Sequence, residues 1–71
     1  MVDLQLLKKT IDDRGITIVR LAEKSRIERA TLYNRLNNKG EFTASEIVGL
    51  SDALMLSKEE RDSIFLIENV N

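Results

Sequence analysis

GITIVRLAEKSRIERATLYNRLNNK, from Gly15 to Lys39, is the stretch that decides the fold. It reads as two short helices joined by a tight turn. Thr17 is a good N-cap for the first, because its hydroxyl can accept a bond from an orphan N–H of the opening turn. Ile16 before the cap and Leu21 after it stand where a hydrophobic staple closes. Leu21 and Ala22 then face inward, and Ala22 is small enough to let a second helix cross closely. Ile27 follows the turn, and the second helix is expected from about Arg29 to Asn37. Leu32 and Leu36, four residues apart, form its buried stripe. Arg29, Ala30, Tyr33, Asn34 and Asn37 are left on its outer face, flanked by Arg26, Arg35 and Lys39.

Two helices so joined make a helix-turn-helix, with the second helix presented outward. At Leu21-Ala22, Ile27, Leu32 and Asn37-Asn38-Lys39-Gly40 the segment resembles the Cro/repressor-type helix-turn-helix family of phage and bacterial transcriptional regulators. The following EFTASEIVGLSDAL is similar to that family's fourth helix, so the likeness runs from about Leu4 to Phe65. Three positions depart from the pattern. Arg26 stands at the turn position usually held by Gly, where φ > 0 is mildly costly for a side chain with a Cβ. Ser25 occupies a usually apolar site. Ile18 replaces a Gln that in the family often helps clamp the DNA. The resemblance implies an all-α, lambda-repressor-like fold of five short helices. One domain is expected over residues 1–71, with the helix-turn-helix at about 17–37.

Composition narrows the alternatives. A chain of 71 residues is near the size at which one core is only marginally sufficient. With no Cys and no His, disulfides, the common zinc sites and the usual nucleophile–base dyads are unavailable. The carboxylate pairs Asp12-Asp13 and Glu59-Glu60 sit at helix ends, where solvation and end-charge effects account for them. No enzyme, cofactor or metal is therefore expected. No apolar run approaches the roughly 18 residues of a membrane span, and no secretory segment opens the chain. A cytoplasmic protein is the expectation. The absence of proline suits helices with short connections.

The net charge of −1 hides a polarised distribution. Between Lys24 and Lys39 there are five cations and one anion, giving +4; from Gly40 onward two cations and seven anions give −5. A basic middle and an acidic tail make a dipolar molecule, and the sign on the docking face governs association more than the total. Mixed surface charge with no such role is the plainer reading of the same pattern.

Caps mark the remaining helices. Asp3 can open a first helix that carries Leu4, Leu7 and Ile11 at helical spacing and stops at Gly15. Its Lys8 and Lys9 are either solvated or near phosphate. Thr43 with Glu46 has capping-box spacing and Phe42 with Ile47 that of a staple, so Phe42 reads as a structural plug rather than a base-stacking ring. Ile47, Leu50 and Leu54 continue that apolar face, with Ala53 beside it. Ser57 with Glu60 forms a second box, opening a last helix through about Ile67. Ile64-Phe65-Leu66-Ile67 are four apolar residues in a row, and successive helical residues point about 100° apart, so one face cannot bury all four. Ile64 with either Phe65 or Ile67 is expected in the core. Phe65, Leu66 and Ile67 are the candidates for a homodimer interface.

Side-chain chemistry divides the labour on double-stranded DNA. Arg29 has the fork that matches guanine O6/N7, Asn34 can pair bidentately with adenine, and Ala30 can touch a thymine methyl. Tyr33 either bonds a phosphate or sugar, or packs on the motif's edge. Thr17, Arg26, Asn37, Asn38 and Lys39 are expected on the DNA backbone, while Arg35 lies on the less favourable side and can pair with a carboxylate. The alternative is an antirepressor-like interaction module that binds a partner regulator and masks its DNA-reading surface. Ile18, the low net charge and the acidic tail would suit it.

Overall fold

Four helices of the chain open on a side chain that accepts a bond from the helix's own first turn. The computed structural model describes residues 2–67 and, among them, five helices and no strand. These are α1 (Leu4–Arg14), α2 (Ile18–Ser25), α3 (Arg29–Leu36), α4 (Ala44–Ala53) and α5 (Lys58–Phe65). Asp3 caps α1 by accepting the Leu6 N–H at 3.0 Å, and Thr17 caps α2 by accepting that of Arg20 at 3.1 Å. Full capping boxes open α4, with Thr43 and Glu46, and α5, with Ser57 and Glu60. Only α3 starts without a side-chain cap, at Glu28.

The five helices share one core. Leu7, Leu21, Leu32, Leu50, Leu54 and Ile64 are fully buried, so every helix or its C-cap contributes to it. Each such side chain is worth about 2 kcal/mol of transfer from water. Ile16, Ile18, Phe42 and Ile47 pack against this cluster from its margins. Arg14 closes one end, donating from Nε to the Leu54 carbonyl at 3.0 Å and from Nη2 to Glu60 at 3.1 Å. At the other end the Asp3 N–H donates to the Ile64 carbonyl at 2.7 Å.

The last helix differs from its expected extent. It stops at Phe65 rather than at about Ile67, because Leu66 turns left-handed (φ 50°, ψ 45°) and its N–H donates back to the Asp62 carbonyl. That turn resolves the four-residue apolar run. Ile64 and Phe65 both enter the core, and the Phe65 ring meets Phe42 edge-on, with centroids 5.6 Å apart. Phe65 is therefore removed from the exposed candidates for an interface. Leu66 and Ile67 remain at the surface, 50% and 40% exposed.

A tight helix approach is made at a glycine that the sequence pattern does not mark. A Cβ on Gly49 would lie 2.5 Å from the Ser25 carbonyl oxygen, so α4 rests on the backbone at the C-terminal end of α2. Ser25 itself is buried, and its hydroxyl donates to the Leu21 carbonyl at 2.6 Å. That bond is why a polar residue is tolerated where an apolar one is usual. Because the obstruction is backbone, it cannot rotate away. Gly49→Ala should lower the free energy of unfolding by about 1–3 kcal/mol, read in a urea melt, although the helix propensity of Ala alone would raise it. A stabilised variant would mean that the two helices do not touch there.

Candidate nucleic-acid interface

The site starts from the turn between α2 and α3. The Arg26 N–H donates to the carbonyls of Ala22 and Glu23, and the Ile27 N–H to that of Ala22 at 3.1 Å. Arg26 is left-handed (φ 60°, ψ 34°), the geometry a glycine would take without strain. Its side chain is exposed, whereas Ile27 is buried and anchors the start of α3.

From that anchor the α3 stripe follows. Leu32 and Leu36 are buried, which turns Arg29, Ala30, Tyr33 and Asn34 outward, with Asn37 at the C-cap; all five are exposed. Tyr33 is 47% exposed and lies outside the core. Beyond the C-cap, Asn38 is left-handed (φ 61°), a conformation asparagine tolerates. The Lys39 N–H then donates to the Asn34 carbonyl at 2.7 Å. The chain therefore folds back beside α3 and brings Asn37, Asn38 and Lys39, all exposed, next to the outward face. Thr17 is exposed at the start of α2 with one lone pair engaged by its own helix, leaving the hydroxyl proton available.

The charges on this side are largely uncommitted. Among the described residues, Lys24, Arg26, Arg29 and Lys39 form no ion pair. Arg35 is the exception: it pairs with Glu46 at 3.1 Å, the two side chains being only 20% and 14% exposed, and is withdrawn from the outward face. Ile18 packs partly against the core, so this N-terminal position of α2 serves packing. Val19, at 44% exposure, instead borders a shallow groove between α2 and α3 with Glu23, Arg26, Glu28 and Arg29. Among the described residues no cluster of three or more carboxylates stands where it could hold a metal ion, and no helix is long and apolar enough to cross a membrane.

The exposed side of α3 thus carries Arg29, Ala30, Tyr33 and Asn34, with Asn37 at its C-cap and the exposed cations Arg26 and Lys39 beyond its two ends. Residues 6–60 match the Cro/C1-type helix-turn-helix DNA-binding domain. The chain belongs to that family. The matched span takes in most of α1, all of α2, α3 and α4, and the start of α5. Comparison with individual curated proteins and with solved structures gives no significant match. The family assignment agrees with the resemblance carried by Leu21-Ala22, Ile27 and Leu32.

Within this Cro/C1-type domain the strained turn residue is separable from the fold. A left-handed residue with a Cβ costs about 1–2 kcal/mol relative to the right-handed form, and part of that relief is offset by the greater unfolded-state freedom of glycine. Arg26→Gly should raise the free energy of unfolding by about 1 kcal/mol, measured by denaturant titration. A fall in stability would show that the Arg26 side chain makes a compensating contact on the helix pair.

Proposed function

We propose that this protein is a sequence-specific DNA-binding transcriptional regulator of the phage and bacterial type, working in the cytoplasm with α3 in the major groove. The observation that carries the reading is the outward set Arg29, Ala30 and Asn34 on a helix whose opposite side is locked by Leu32 and Leu36. Arg29 reads guanine, Asn34 reads adenine, and Ala30 meets a thymine methyl. Tyr33 contacts phosphate or sugar. Thr17, Arg26, Asn37, Asn38 and Lys39 hold the DNA backbone on either side and set the register of the reading helix. The whole chain acts as one such unit.

So few phosphate contacts bind weakly and with steep salt dependence. Two copies joined symmetrically would double them and read a two-fold-symmetric site. The exposed Leu66 and Ile67 beyond α5 are the surface for that association.

Two measurements test these statements. In gel mobility assays on genomic fragments, the protein should retard a subset selectively, less so as salt rises. Arg29→Ala should cost about 1–3 kcal/mol of discrimination at one base position. If no fragment shifts at low salt and the protein instead co-purifies with a repressor, the masking module replaces this reading. In equilibrium sedimentation, a concentration-dependent dimer is expected and Leu66→Asp should weaken it, with far-UV circular dichroism establishing that the variant is folded. A monomer at every concentration contradicts the role given to Leu66 and Ile67.

A further inference from the structure

Arg35 belongs to α3 yet contributes nothing to its outward face. Its guanidinium is spent on three points at once. Nε donates to Glu46 Oε1 at 3.1 Å and Nη2 to Glu46 Oε2 at 3.4 Å, a forked pair with both carboxylate oxygens. Nη1 reaches the Lys39 carbonyl at 3.4 Å, a long bond to the segment that follows the helix. Glu46 is itself fixed, since its Oε1 also accepts the Thr43 N–H at 3.0 Å and so closes the capping box of α4. One planar group thereby ties the body of α3, the connecting segment and the first turn of α4.

The Lys39 backbone is held from both sides. Its N–H donates to the Asn34 carbonyl at 2.7 Å and its carbonyl accepts from Arg35. The next residue makes room for this arrangement. Gly40 is left-handed (φ 85°), and a Cβ there would lie 2.5 Å from Arg35 Nη1. Burial pushes the Glu46 carboxyl up, but the Thr43 N–H and the hydrogen bond and charge of Arg35 outweigh it, and the group stays below the ordinary glutamate range. The brace is therefore ionised at neutral pH. By contrast, the Lys39 side chain is exposed and has no carboxylate partner among the described residues.

We infer that Arg35 is a positioning residue for DNA binding: it fixes the root of Lys39, so that the lysine's ammonium meets a phosphate beside the reading helix without its backbone first being ordered. The inference rests on the DNA-binding reading above. It turns on shape rather than charge. A lysine at position 35 keeps the positive charge and the Glu46 pair, but a single ammonium on a flexible stem cannot span both carboxylate oxygens and the Lys39 carbonyl.

The test is a double-mutant cycle on a duplex selected from a random pool by the wild-type protein. Dissociation constants are measured over a range of salt for wild type, Arg35→Lys, Lys39→Gln and the double variant, with thermal melts showing that each is folded. Lys39→Gln should lower the salt slope by about one phosphate contact, and Arg35→Lys should lower both affinity and slope in the same direction. The double variant should bind no more weakly than Lys39→Gln alone, because residues acting through one contact are not additive. In the free protein, exchange of the Lys39 amide should be faster in Arg35→Lys than in wild type. Losses that multiply in the double variant, or an Arg35→Lys that binds and exchanges like wild type, overturn the inference while leaving the DNA-binding reading intact. A wild type that retains no duplex from the pool overturns both. Should Arg35→Lys fail to fold, Glu46→Gln loosens the same brace from its other side and is held to the same outcomes.

Discussion

The burial of Leu32 and Leu36 is the constraint on which the rest depends. Two apolar side chains one turn apart leave α3 a single way to lie on the core, and that choice aims every polar residue of the helix. The support beneath them is correspondingly stiff. Leu21 and Leu50 come from α2 and α4, which meet with Gly49 seated on the backbone of Ser25, and interiors packed this tightly yield little to small shifts. Preorganisation follows directly. On the proposed reading, binding orders long side chains and not the helix that bears them.

Charge is distributed with the same economy. Arg14 and Glu60 join the ends of α1 and α5, and Lys9 pairs with Asp13 within α1, so several charges away from α3 are matched locally. Those near α3 are left to solvent apart from Arg35, the one cation of the basic stretch committed to a shielded carboxylate. The acidic residues that make the total negative lie from Gly40 onward. A molecule of this kind is steered by the field of one side, and its net charge of −1 says little about the sign of that side.

Much of this architecture was legible in the residues because it is local. Asp3, Thr17, the Thr43/Glu46 box and the Ser57/Glu60 box each announce a helix start within four residues, and all four caps form. The outward set on α3 was legible for a similar reason, since Leu32 and Leu36 fix the phase of a short helix. What escaped was tertiary. The left-handed turn at Leu66, which sends Phe65 inward, has no glycine to mark it. Ser25 is buried on a bond to its own helix, and Gly49 is required by a backbone on another helix; neither demand is visible in the flanking sequence. A carboxylate partner for Arg35 could be expected. Its second attachment, to the Lys39 carbonyl, depends on how the segment before α4 folds back.

On the proposed function, the outward side of α3 and the start of α2 meet duplex DNA. Amide chemical shifts of the labelled protein, followed as a selected duplex is added, address it residue by residue. The largest changes should cluster at Thr17, Arg26, Arg29 to Asn34 and Asn37 to Lys39, while the amides of α1 and α5 stay near their free positions. Changes centred on α4 or α5, with Arg29 and Asn34 unmoved, would contradict that reading.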